Sequence, residues 1–304
     1  MSFSTQVKEE LNSIHKKENC CKKSYVLGAI FSAKTEENGK ILLTLTDSST
    51  IQELCAMLKT VFRIIPEKKE IKRGCYSAVE LTFESSRLTD FLNLADRFLK
   101  DPKNTYEKII SEIKCENCKS AFVRALFAAA GSVSDPHRSF TLEIRLQNSA
   151  RASFVRTLIE QVGLNPPSLT DRRDSVGLFY RNESGIEEFL TFCGANHMLF
   201  SFFNIHVEKD IRNAENRATN CVAKNISRSV KATTHQIAAI EALMANDMFD
   251  ELSSELQTTA KLRLENQEVS LSELADIHTP PISKSGLSHR LSKICEEAKR
   301  RRLI

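Results

Sequence analysis

Tryptophan is missing from the 304 residues, and tyrosine is sparse, with four against seventeen phenylalanines. The core is therefore predicted to lean on Phe, Leu and Ile. No signal peptide is expected either: the start, SFSTQVKEEL, places Lys8, Glu9 and Glu10 where one needs a hydrophobic run. Long membrane-compatible runs are lacking too. The best one, Phe189 to Val207, goes 19 residues without formal charge, but Cys193-Gly194-Ala195-Asn196-His197 sits in its middle. Amide and imidazole groups are costly at a bilayer centre, so no membrane span is expected. With nine glycines and seven prolines there is no collagen-like repeat. The expectation is a cytosolic chain, whose nine cysteines are reduced rather than paired.

What is present is an ordinary globular composition, 41% hydrophobic and 27% charged, on a chain long enough for one large domain or two smaller ones. The net charge of +4 is unevenly placed. Residues 283–304 carry seven basic and two acidic side chains, a local +5, and the other 282 residues sum to −1. A basic pole on a near-neutral body points to a polyanionic partner, and the competing reading is a solvated tail.

The first 205 residues contain an internal repeat. CKKSYVLGAIFSAK, Cys21–Lys34, matches CKSAFVRALFAAAG, Cys118–Gly131, at an offset of 97. Each reads as a helix of small and apolar residues followed by strand, KILLTLTD in one half and SFTLEIRLQN in the other. Alternation at Leu142, Ile144 and Leu146 marks a half-buried antiparallel strand. Asp47-Ser48 and Asn148-Ser149 are predicted N-caps of the amphipathic helices that come next. More strand, YSAVELTF and SVGLFYR, precedes the closing helices RLTDFLNLADRFL and GIEEFLTFCGA. The expected fold is α+β: an αββαββα unit used twice, with repeats over about 1–100 and 112–206 in a 1–206 domain. A helical linker at 207–232 and an all-α domain at 233–304 complete it.

On the linker, Arg212, Asn213, Asn216, Arg217 and Asn220 recur at helical spacing and share a face. Two roles stay open for them, phosphate contact or packing on the first domain.

In the last segment, Ser270 or Ser272 with Glu273 begins a short helix, HTPPIS turns the chain, and Ser283 can cap the final helix. There Leu287, Leu291, Ile294 and Ala298 form an inward stripe. Ser285, His289, Ser292 and Lys293 lie opposite. This is the arrangement of a helix-turn-helix over about 269–302, with a turn longer than usual. Ser272, Ser283, Lys284, Ser285, Ser288, His289, Arg290 and Lys293 are the candidate DNA contacts. Small donors near the helix start suit phosphates, and Arg290 and Lys293 suit phosphates or guanine edges. The run Arg300–Arg302 suits nonspecific phosphate contact.

Four segments in order resemble one family: FSTQVKEEL, CKSAFVRALFAAAGSVSDP, CGANHMLFSFFNIHVEKDIRNAENRATNCVAKN and LRLENQEVSLSELADIHTPPISKSGLSHRLSKI. The chain resembles WhiA, a family of bacterial DNA-binding regulators linked to cell division, chromosome segregation and, in sporulating relatives, sporulation. The resemblance implies a duplicated domain like that of LAGLIDADG homing endonucleases, then a helix-turn-helix like the promoter-reading region of sigma factors. It also implies double-stranded promoter DNA as partner, possible contact with other transcription or division proteins, and a nucleoid-associated place in a bacterial cytoplasm. One departure, Leu287-Ser288 where Val-Asn is common, bears on the operator sequence rather than on the fold.

A LAGLIDADG nuclease needs an acid near the end of each repeat helix to hold divalent metal. The alignment puts Ala33 and Ala130 at those positions, and a methyl group cannot ligate a hard cation. Lys34 also replaces the glycine of the first motif. Asp135 and Glu36 are nearby in sequence but off the motif. No catalytic residue, metal ligand or cofactor is assigned. His197 and His289 have no Cys or Asp partner at triad or zinc spacing. Cys115-x-x-Cys118 and Cys20-Cys21 open the two repeat helices, and symmetry can bring four thiols to one end, as zinc would need. A Cys-Cys dipeptide is poor ligand spacing, however, and the favoured reading is small cysteines at helix starts. The expected function is a non-catalytic, sequence-specific transcriptional regulator. The alternatives are an interaction scaffold with weak nonspecific DNA binding and a metal-dependent nuclease.

Overall fold

The computed structural model describes residues 1–304 other than Lys17, Glu37, Gly74, Cys75 and Lys114. It divides into two units, Met1–Asp210 and Ile211–Ile304.

In the first unit, α1 (Phe3–Ser13) leads into two copies of one motif. The first copy runs α2 (Asn19–Ile30), β1 (Lys34–Thr35), β2 (Lys40–Leu45), α3 (Ser48–Met57), β3 (Glu67–Arg73), β4 (Tyr76–Glu84) and α4 (Ser86–Ala95). After a connecting helix, α5 (Pro102–Glu112), the second copy runs α6 (Glu116–Ala130), β5 (Gly131–Val133), β6 (Leu142–Leu146), α7 (Ser149–Gln161), β7 (Ser168–Arg172), β8 (Ser175–Tyr180) and α8 (Glu183–Cys193). Each copy makes a four-stranded antiparallel sheet with the same strand order, β1-β2-β4-β3 and β5-β6-β8-β7. The αββαββα repeat expected from the sequence is therefore the fold.

Local chemistry explains these elements. The Asp47 carboxylate accepts from the Thr50 N–H, and the Asn148 side chain accepts from the Arg151 N–H, so both predicted N-caps satisfy orphan donors of the first turn. Leu142, Ile144 and Leu146 are each buried while Glu143 and Arg145 are not, the period of two that a one-sided sheet requires.

The core joins the two copies through α2 and α6. These helices cross so closely that a Cβ on Gly28 would lie 2.0 Å from the Phe122 carbonyl oxygen. Around the crossing, Phe31 packs edge-on to Phe122 at 5.1 Å between ring centres and lies 5.4 Å from Phe154, which meets Phe98 at 5.6 Å. A core with no tryptophan is thus assembled from phenylalanine edges and faces.

The unit is also cross-braced. Arg151, on α7 of the second copy, is buried and donates to the carbonyls of Phe31 and Ala33 in the first copy, at 3.1 and 2.7 Å. Its other nitrogens grip both oxygens of Asp96, at 2.6 and 3.0 Å.

The chain continues through α9 (Asn196–Ala245). The Glu10 carboxylate caps its start, accepting from the His197 and Met198 N–H groups, each at 2.8 Å. The predicted linker is thus the middle of one continuous 50-residue helix. Among the described residues no helix is long and apolar enough to cross a membrane.

In the second unit, the end of α9, α10 (Ser254–Glu265), α11 (Leu271–Ile277) and α12 (Lys284–Arg300) surround a small core of Ile240, Leu243, Phe249, Leu274, Leu287, Leu291 and Ile294. Arg263 organises it from inside: buried, it donates to the carbonyls of Val269 (2.8 Å) and Gln267 (3.0 Å) and to the Thr233 hydroxyl.

Candidate nucleic-acid interface

The inward stripe of α12 read from the sequence, Leu287, Leu291, Ile294 and Ala298, is fully buried. Burying it fixes which residues face outward. Lys284, Ser285, Ser288, His289, Ser292 and Lys293 are all exposed. Spacing of three and four residues stacks them along the first three turns of one helix. Lys284, Lys293, Lys299 and Arg302 have no carboxylate within ion-pair distance among the described residues, so their charge is directed to solvent.

The helix start is prepared locally. Ser283 Oγ accepts from the Gly286 N–H at 3.1 Å and lies 3.0 Å from Ser285 Oγ. Its hydroxyl is thus a cap first, and the unpaired N–H groups of the first turn stay open toward an anion.

The supporting helix begins at Ser270. Its hydroxyl accepts from the Glu273 N–H, and Glu273 returns a contact to the Ser270 N–H at 3.0 Å, a capping box. The hydrogen bonds from Ser270 hold the Glu273 carboxyl below the usual range. Ser272 is therefore an exposed residue of the first turn and not the cap. Between the two helices lie residues 278–283, and the Ile282 N–H closes the turn on the Ala275 carbonyl at 3.2 Å. His278 is buried under this turn, with Nε2 3.2 Å from Thr259 Oγ1.

Arg290 behaves differently from its neighbours. Its Nη2 lies 3.1 Å from Glu255 Oε2 on α10, and its Nη1 lies 3.5 Å from His278 Nε2. Its side chain is only 23% exposed, so it braces α12 against α10. Arg301 is similarly held by Glu251 at 2.6 Å and Glu297 at 2.8 Å, and Arg300 also pairs with Glu297. The +5 tail therefore presents less free charge than its composition suggests. Glu297 is counted in the tail's charge, but Glu251 and Glu255 escaped sequence reasoning because they lie in the segment before α10 and on α10.

Arg212, Asn213, Asn216, Arg217 and Asn220 all fall on α9 and all are exposed. Ala33 is buried just past the end of α2, and Ala130 is the last residue of α6. The carbonyl of Ala33 is occupied by the Arg151 guanidinium.

The cysteines give an unexpected result. Cys20, Cys21, Cys115 and Cys118 come together, all four sulfurs within 4.8 Å of one another. Dipeptide spacing argued against this, but the crossing of α2 and α6 sets the two helix starts side by side. Burial pushes the Cys21 thiol up. For Cys118 burial acts in the same direction, but interactions with Ser24 and Cys115 outweigh it and bring the thiol down to about 7.

The chain matches two family models, the WhiA C-terminal HTH domain over residues 216–298 and the WhiA LAGLIDADG-like domain over residues 119–212. A probable cell division protein WhiA of Lachnoclostridium phytofermentans is 32% identical over 317 residues, covering 98% of each chain. A protein of the same name from Ruminiclostridium cellulolyticum is 29% identical over 307 residues, covering 99% of this chain and 98% of the other. The crystal structure of full-length DUF199/WhiA from Thermatoga maritima superposes with a TM-score of 0.58 at 22% identity, covering 99% of each chain, a likeness of fold.

Proposed function

The chain belongs to the WhiA family, and from that premise we propose that it is a non-catalytic, sequence-specific DNA-binding regulator that reads double-stranded promoter DNA through α12. The observation that carries this reading is the outward face of α12. Two unpaired lysines, three small hydroxyls and a histidine lie on a helix whose opposite stripe is locked into a core. Lysines supply sequence-independent phosphate affinity, while Ser285, Ser288 and His289 are short enough to hydrogen-bond base edges once the helix lies in a major groove. The exposed Arg212, Asn213, Asn216, Arg217 and Asn220 are further phosphate-contact candidates. Relatives named probable cell division proteins support a role in bacterial cell division, and chromosome segregation and a nucleoid-associated cytoplasmic location are finer parts of the same proposal.

Two features support a non-enzymatic reading. Ala33 and Ala130 offer no carboxylate or other side-chain oxygen where a LAGLIDADG nuclease would carry acids. The Arg151 guanidinium also sits against the Ala33 carbonyl, and its positive charge disfavours a divalent cation there. The fold then serves as scaffold.

A gel-shift series tests the proposal. The full chain and its Lys284→Ala/Lys293→Ala variant are titrated against promoter fragments with magnesium, competitor DNA and two salt concentrations. Selective, salt-sensitive shifts by the parent, weakened in the variant, with DNA uncut, are expected. Equal binding by both would move recognition off α12, equal affinity for all sequences would favour a scaffold, and cut product would restore the nuclease.

A further inference from the structure

The four-cysteine cluster lies outside the proposed DNA interface, at the start of the paired helices α2 and α6. Cys20 and Cys21 fall in the first turn of α2, Cys115 precedes α6 and Cys118 lies in its first turn. All four are free thiols. Cys115 Sγ is 3.9 Å from Cys20 Sγ, 3.6 Å from Cys21 Sγ and 3.3 Å from Cys118 Sγ, and Cys118 Sγ is 3.9 Å from Cys21 Sγ. A tetrahedral ion with metal–sulfur arms of about 2.3 Å requires sulfurs about 3.8 Å apart. The four thiols thus already stand near the corners such an ion demands, two contributed by each half of the duplicated domain.

The surroundings favour negative sulfur at this place. Neither α2 nor α6 has a side-chain oxygen capping its start, so, apart from the Cys118 N–H that donates to the Cys115 carbonyl, the positive ends of both helix dipoles face the cluster uncapped. Ordinary packing gives no reason for four thiols, two of them fully or nearly buried, to converge across a sequence separation of more than 90 residues. Soft thiolates in a four-sulfur set select zinc or iron. A closed set with no open position is the pattern of structural zinc.

We propose that Cys20, Cys21, Cys115 and Cys118 bind one zinc ion as thiolates, clasping the two halves of the domain at the start of α2 and α6. Binding releases thiol protons, so loading weakens as pH falls. The clasp lies at the opposite end of these helices from Ala33 and Ala130, so its role is structural.

The test uses the full chain purified in reductant without chelator. Elemental analysis is expected to find about one zinc per chain. The metal-stripped chain titrated with cobalt is expected to show thiolate-to-cobalt charge transfer with tetrahedral d–d absorption. Chelator is expected to lower the melting temperature of the parent. Cys20→Ser and Cys115→Ser, at half-buried positions, are each expected to weaken zinc binding by at least about tenfold, while the exposed Cys221→Ser keeps it unchanged. Zinc below about a tenth of an equivalent together with no cobalt–thiolate absorption by the parent chain would overturn the proposal, even if the variants fail to fold. Iron as the bound metal would overturn the assignment to zinc.

Discussion

Arg290, on the helix proposed to enter DNA, is tied to Glu255 on the helix behind it, with 3.1 Å between guanidinium nitrogen and carboxylate oxygen. The charge that looks most suited to a guanine edge is therefore partly spent inside the protein. Glu255 is 70% exposed, so the pair is screened and contributes under ~1 kcal/mol to stability. Glu255→Gln is expected to release Arg290 and tighten DNA binding several-fold at low salt, with little change in melting temperature. Fluorescence anisotropy on one duplex at fixed ionic strength measures it; unchanged affinity would show that Arg290 does not reach DNA even when freed.

Lys284 and Lys293 should behave as plain phosphate contacts. Each replacement by alanine is expected to lower the slope of log affinity against log salt by about one, without changing sequence preference. The slopes, taken from binding isotherms at several salt concentrations, separate this from a base contact, whose loss would relax discrimination instead.

Gly28→Ala tests the crossing of α2 and α6. Its Cβ would fall 2.0 Å from the Phe122 carbonyl oxygen, backbone that cannot rotate away. Forcing the helices apart should cost about 3 kcal/mol or more, read as a lower midpoint in urea unfolding.

Arg151→Met should cost about 3–5 kcal/mol in the same assay, since it leaves Asp96 without its cation and two carbonyls without donors. Asp96→Asn, which keeps part of the hydrogen bonding, should cost less.

Stability should also carry an acid-side signature at Asp47. Burial pushes this carboxyl up, but hydrogen bonds from Ser49 and Thr50, with the charge of Lys8, outweigh burial and hold it below its ordinary value. The folded state therefore binds this proton less readily than the unfolded one. The stabilisation is complete above the ordinary carboxylate range and is lost as pH falls through the lowered value. Asp47→Asn should flatten the acid limb of a melting-temperature profile; an unchanged limb would assign the acid sensitivity to other groups.

Much of this architecture was legible because it is written in local periods. The repeat at an offset of 97, the Asp47 and Asn148 caps, and the Leu287–Ala298 stripe each depend on residues a few positions apart. What escaped depends on distance along the chain. Glu255 and Arg290 are 35 residues apart, on helices whose packing no short window reveals. The sulfur cluster joins positions 94 to 97 apart, and its dipeptide spacing looks wrong until both halves are folded. The linker reads as helix in sequence, but the full extent of Asn196–Ala245 escaped because its middle is exposed and no glycine or proline marks where the helix begins or ends within it. Ser270 and Ser272 both read as candidate helix starts, although only Ser270 has a glutamate three positions on, the capping-box spacing that the reciprocal contact with Glu273 fulfils.

The grip of Arg151 on Asp96 says something about the history of the duplication. Asp96 ends the closing helix of the first half, and the residue ending the corresponding helix of the second half is Gly194. Two copies of the second half, paired with each other, would each bury an arginine facing a glycine and no carboxylate. The halves have become complements rather than duplicates: each needs the other, and a second copy of itself cannot replace it in this contact.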